Sequence, residues 1–173
     1  MRRWVDDVVV GLNLCPFAQR ELVADRVRFT VTDVSSESDL LEELASELEL
    51  LSSTPTIETT LLIHPHILDD FLQYNQFLDY ADKLLEHLKL DGEFQIASFH
   101  PNYQFAETDA DDPENFTNRS PYPVLHLLRE ASLEKAIANT ADIDQIPIRN
   151  IDTMNRIGAE SLQATLRACL EKL

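Results

Sequence analysis

Residues 57–66 read Ile-Glu-Thr-Thr-Leu-Leu-Ile-His-Pro-His, and residues 94–101 read Phe-Gln-Ile-Ala-Ser-Phe-His-Pro. Each is a short apolar run that stops at a His-Pro step. That is the composition of a strand whose pairing ends where proline has no N–H to give. Working outward, residues 27–34, Val-Arg-Phe-Thr-Val-Thr-Asp-Val, alternate with period two and predict a further strand. Between the strands the period becomes helical. Ser36 and Asp39 resemble a capping box, and Leu41, Leu44, Ala45, Leu48 and Leu51 form one apolar stripe, which predicts a helix over 38–51. Phe71, Tyr74, Leu78, Ala81, Leu85 and Leu88 predict a longer helix over 67–89, with Asp69 and Asp70 in its first turn.

Trp4, Val5, Val8, Val9 and Leu12 predict an amphipathic helix over 3–12 at the other end of the chain. After the second His-Pro step a long loop runs from 101 to 122; Pro123 then opens a predicted helix over 123–138, and Asp152 caps a last one reaching about Lys172. Strands alternating with helices give an α/β fold: a small sheet of about three strands with helices packed on it, plus C-terminal helices. Right-handed crossovers make neighbouring strands parallel. The alternative is an α+β arrangement with a mixed sheet, and the order of elements does not choose between them. The 173 residues suit a single globular domain over 1–173.

Composition excludes several functions. The three glycines, Gly11, Gly92 and Gly158, are isolated, so neither the dinucleotide nor the P-loop phosphate cradle can be written and no nucleotide-cofactor motif is present. With 14 Lys+Arg against 31 Asp+Glu, a net charge of −17 opposes nucleic acid and anionic membrane surfaces, whose affinity comes from cations. No apolar run approaches the ~20 residues of a membrane span. Two cysteines, Cys15 and Cys169, make no disulfide framework and imply reduced thiols in a cytoplasmic protein.

The residues able to carry chemistry lie in four places. If the strands that end at His64 and His100 are parallel, both imidazoles lie at the carboxyl edge of the sheet, where open sheets bind ligands. His64 and His66 with His100 offer a weak metal-ligand pattern, unsupported by any cluster with known ligand spacing, so metal content stays open. In a helix over 123–138, His126, Arg129 and Glu130 share one face, with His126 in the first turn, where the dipole keeps the ring neutral. Ahead of them Asn118, Arg119 and Tyr122, the last held between two prolines, form a rigid polar segment suited to an anion. If Pro16 begins a helix, Cys15 caps it, and the first-turn N–H groups stabilise a thiolate. Cys169 reads as core.

Asn13-Leu14-Cys15-Pro16-Phe17-Ala18, the His64-Pro65 step, the run Ser98 to Phe105 and the run Thr117 to Glu130 (TNRSPYPVLHLLRE) resemble a bacterial family of unknown function, DUF1415, over nearly the whole chain. The resemblance implies a bacterial, cytoplasmic, stand-alone domain and carries no activity. The residues themselves predict a small-molecule enzyme, a hydrolase or group transferase, with His100 or His126 moving protons and Cys15 as nucleophile. His64, Tyr103, Asn118, Arg119, Tyr122 and Arg129 bind the substrate, Arg119 and Arg129 clamping an anionic small molecule. The alternative is a non-catalytic acidic module whose loop 101–122 docks a basic protein.

Overall fold

A computed structural model describes residues 1–140 and 142–170. Helix α1 (Arg2–Trp4) runs into a π-helical turn over Val5–Val10, followed by α2 (Ala18–Val23), β1 (Val27–Val31) and α3 (Glu37–Ser53). Then come β2 (Thr59–Ile63), α4 (Phe71–Leu88), β3 (Phe94–Phe99), a 3-10 turn over Pro113–Thr117 and β4 (Val124–Arg129). Three helices close the described chain: α5 (Glu130–Ala138), α6 (Gln145–Ile157) and α7 (Ala159–Leu170).

The strands form one sheet in the order β1-β2-β4-β3. β1 and β2 are parallel, while β4 lies between β2 and β3 and runs antiparallel to both. The sheet is therefore mixed and has four strands, one more than the periodicity predicts. The additional strand corrects the helix expected over 123–138: residues 124–129 extend as β4, and the helix starts only at Glu130. Paired in register with β2 over Val124 to Leu128 and with β3 over Val124 to Arg129, these residues satisfy their backbone groups across the sheet instead of along a helix.

β2 is buried at every position, Thr59 through Ile63, because helices cover both faces of the sheet. On one face α3 contributes Leu40, Leu44, Leu48 and Leu51, and α4 contributes Tyr74, Phe77, Ala81 and Leu85, all packed on Leu62, Leu125 and Leu127. On the other face Trp4, Val5 and Val8 join Leu162, Leu166 and Cys169 of α7 over Leu61, Ile63 and Val124. Cys169 is core, as the stripe predicts.

Three boundaries differ from the periodicity. α3 begins at Glu37, with Ser36 Oγ accepting from Asp39 N at 3.1 Å as a cap. α4 begins at Phe71 rather than 67: Asp70 is its cap, accepting from Gln73 N at 2.9 Å, and Leu68 is left-handed at φ 59°. The C-terminal chain forms two helices, broken at Gly158 with φ 83°, so Asp152 lies inside α6 rather than capping anything. The expected end near Lys172 falls outside the described residues.

Candidate functional site

The parallel β2 and β3 bring His64 and His100 to one edge, with the entry to β4 between them: His64 N–H donates to Pro123 O and His100 N–H to Asn118 O, each at 3.2 Å. Both rings are wholly buried and pack on Tyr74, His64 stacked on it at 5.8 Å and His100 tilted against it at 5.0 Å between centroids. His100 is spent on its surroundings. Its Nδ1 accepts from Asn102 N–H at 3.0 Å, so Nε2 carries the proton and donates to Leu68 O at 3.0 Å. His64 donates from Nδ1 to Ile67 O at 3.1 Å, and its Nε2 is buried without a partner among the described residues. Burial, with the neighbouring His100 adding to it, lowers the pKa of His64 to about 4. Burial also lowers that of His100, against the pull of Leu68 O and of Asp70 and Asp69.

The polar segment ahead of β4 ties the long loop down. Arg119 Nε donates to Tyr103 O at 3.0 Å and Nη2 to Ala110 O at 2.7 Å, with the guanidinium 4.5 Å over the Phe116 ring. Asn118 Nδ2 donates to Ser98 O at 3.2 Å, and Tyr103 packs on Phe71 at 5.0 Å. Tyr122 is half-buried against the second core and accepts at its carbonyl from Ser120 Oγ at 2.6 Å. Arg129 donates to the carbonyls of Leu51, Thr54 and Ile57, holding the end of α3 and the approach to β2. These guanidinium donors are committed to backbone carbonyls, so the anion clamp expected of Arg119 and Arg129 lacks free forks.

His126 lies on the opposite face of β4 from Leu125 and Leu127, so the expected helical face with Arg129 and Glu130 does not exist. It sits in the cross-strand row Leu61–His126–Ala97. The small Ala97 beside it leaves room for a cavity of about 250 Å³ between the sheet and the N-terminal and α5 helices. Cys15, Glu21, Glu58, Thr59 and Arg129 share its walls with Trp4, Phe99 and aliphatic side chains. Cys15 reaches it from the turn before α2. It does not cap that helix, because Phe17 occupies the position and Cys15 serves only as a carbonyl acceptor for Ala18 N–H at 3.3 Å. The thiol is free and half-buried.

One contact sets the state of His126. Thr59 Oγ1 has a single proton and donates it to Leu127 O at 2.6 Å, so at 2.7 Å it accepts from His126 Nε2–H. The ring is therefore the Nε2–H tautomer, and Nδ1 is a lone pair with no protein donor among the described residues. Burial lowers the pKa of His126 to about 4, leaving the ring neutral near pH 7. Beside it Arg26 bridges two buried carboxylates, Glu58 and, at 3.5 Å, Glu21, whose Oε2 has no hydrogen-bond partner; Arg20 takes the other oxygen of Glu21 at 2.6 Å.

The structure thus joins Cys15 and His126 at one cavity, which Arg129 touches while its guanidinium lies on the α3 side of the sheet, and places His64, His100, Tyr103, Asn118, Arg119 and Tyr122 outside it. Thr59, Glu21, Glu58 and Trp4 were not singled out by the sequence. Thr59 carries a signal in retrospect, as a hydroxyl on the inner face of an apolar strand. Among the described residues no group of three or more His, Cys, Asp or Glu is placed to hold a metal ion, and no helix is long and apolar enough to cross a membrane.

The chain belongs to the family of proteins of unknown function DUF1415, whose sequence profile matches residues 1–164. No curated protein and no solved structure matches it.

Proposed function

We propose that this is a small-molecule enzyme, a hydrolase or group transferase, that works at the cavity behind the sheet with Cys15 as nucleophile and His126 as the proton-transfer group. One observation carries the reading: Thr59 fixes a neutral His126 with its Nδ1 lone pair uncommitted, on a ring that shares its cavity with a free thiol. A base of fixed tautomer lining the same cavity as a thiol is a pair that activates cysteine once the two come within hydrogen-bond reach. Cys15 gives its proton to His126 Nδ1, and the sulfur bonds to the acyl carbon of the substrate. The bond from that carbon to the leaving group breaks, and the leaving group takes the proton from Nδ1. Water, or another acceptor, then attacks the thioester by the same route in reverse and frees the thiol.

The two free cysteines suit a reducing compartment, and we place the protein in the bacterial cytoplasm. An acidic docking module fits the geometry less well. Loop 101–122 is drawn inward by Arg119 and by the wholly buried Asn115, which bonds Phe105, Thr108 and Asp109. Its acids Glu107, Asp109 and Asp111 remain exposed, so what counts against the module is the internal order of the loop rather than the placement of its charge.

The test is acylation by p-nitrophenyl acetate, read by intact mass and peptide mapping. The wild-type protein is expected to carry the acetyl group on Cys15, and Cys15→Ser to lack it. His126→Gln slows labelling by about 10²-fold or more. Thr59→Val, which keeps the ring but loses its orientation, slows it by about 10–100-fold and displaces the pH profile, an effect that general destabilisation does not produce. Labelling of Cys15 at the rate of an unstructured peptide thiol, unchanged by His126→Gln, overturns the proposal.

A further inference from the structure

The walls of the cavity say what kind of group it accepts. Trp4, Val5, Leu22, Leu61, Leu128 and Leu133 supply apolar surface on several sides of the space next to Cys15 and His126. An apolar cavity of ~150 Å³ is filled by benzene, so about 250 Å³ takes a body of roughly six to ten carbon atoms. The charges at the margin are already matched. Arg20 is paired with Glu21, Arg26 spans Glu21 and Glu58, and the guanidinium of Arg129 is turned to the other face of the sheet, over Phe94 and onto the carbonyls at the end of α3. A carboxylate or ammonium carried into this space finds no free opposite charge, yet loses its water, and burying an unpaired ion is the costliest transfer a pocket can impose.

We infer that the group transferred is an uncharged apolar acyl chain or ring of roughly six to ten carbon atoms, held in the cavity with its carbonyl carbon towards Cys15. The inference rests on the proposed chemistry at Cys15 and His126 and adds the substrate class to it. It also displaces the anionic small molecule expected from the arginines, since those side chains are engaged elsewhere. Each methylene buried against these walls raises kcat/KM by about fourfold until the space is full.

Trp4 makes the two claims separable. It is the single tryptophan, it is 2 % exposed, and it lines the cavity with its ring edge-on to Phe99 at 5.3 Å. Its fluorescence therefore reports occupancy without requiring turnover. In the kinetic arm, p-nitrophenyl esters from acetate to dodecanoate are compared by kcat/KM, with the monoester of adipic acid as the charged counterpart of the hexanoate. The expected profile climbs to an optimum between six and ten carbons and falls beyond it, with the adipate at least about a hundredfold below the hexanoate. Ala136→Leu, on the α5 wall, shortens the optimum by about three carbons. In the binding arm, 1-octanol is titrated into Cys15→Ser and gives a saturable change in Trp4 emission, while sodium octanoate gives a far weaker one.

A flat chain-length profile, or an adipate monoester as good as the hexanoate, overturns this inference and leaves the chemistry at Cys15 standing. Saturable binding of octanol with no acylation of the wild-type thiol by any ester overturns the chemistry at Cys15 and leaves the cavity as an apolar binding site only. Absence of both overturns both.

Discussion

His64 shows what a single buried ring does to the stability of this protein. With the ring wholly buried on Tyr74 and its pKa held down to about 4, the folded chain keeps it neutral where the unfolded chain, near 6.5, has already protonated. Between those two values the unfolded state binds more protons, so stability is complete above about pH 6.5 and is lost as pH falls towards 4. For His64 alone the loss is about 3 kcal/mol. His100 and His126 are shifted in the same direction and add to it. Other groups titrate in the same window, so the informative quantity is a difference. Urea denaturation of wild type and His64→Leu at several pH values between 7 and 4 is expected to show the gap between them shrinking by about 3 kcal/mol; a constant gap contradicts a buried neutral imidazole. The sequence reads the position of this ring correctly, at the end of a strand next to His100. It does not read the partners. Those are the carbonyl of Ile67 for His64 and that of Leu68 for His100, freed because the chain turns there, with Leu68 left-handed, where the periodicity places the first turn of a helix.

At the scale of elements the instructive segment is Val124 to Arg129. Its continuous apolar run has no clear period, and such a run fits a strand buried on both faces as well as a buried helix. Pro123 adds to the ambiguity, since proline opens helices and also begins strands, where no donor is asked of it. What decides is supplied by other parts of the chain: β2 and β3 pair with it on either side. The alternating faces give a test in alanine substitutions read by urea denaturation. Leu125 and Leu127 are both 0 % exposed in the core under α3 and α4, and each costs about 2–5 kcal/mol on truncation. Leu128→Ala, on the half-buried wall of the cavity, costs clearly less. A helix would instead group Leu125 with Leu128, three residues on. The same misreading hid the site. As a helical residue His126 belongs with Arg129, but as a strand residue it turns to the opposite face, to Thr59, 67 positions earlier in the chain. Such a contact leaves no local pattern to read.

For the whole molecule the dominant fact is the imbalance of charge. Alternation of strands and helices announces the layered fold, because each apolar face needs a cover. The acidity is written in the composition as plainly, yet it reports on the surface alone. Seventeen excess negative charges over 9798 Å² of surface stand roughly 24 Å apart if evenly spread. The Debye length is about 30 Å in 0.01 M salt and about 8 Å in 0.15 M, so these charges feel one another in the first medium and not in the second. The folded chain holds them closer together than the unfolded chain does, and self-repulsion opposes folding. Working the other way, salt weakens the ion pairs. The pairs among the described residues are few, however, and the best of them, Arg28 with both oxygens of Glu47 at 2.8 and 2.9 Å, involves a carboxylate that is 9 % exposed and poorly reached by counterions. Repulsion therefore outweighs attraction. Adding sodium chloride from 0.01 to 0.15 M at pH 7 is expected to raise the urea midpoint, with most of the gain in that interval and a plateau above it. A midpoint that falls with salt would show that the few cations, and not the surplus of acids, set the electrostatic balance of the fold.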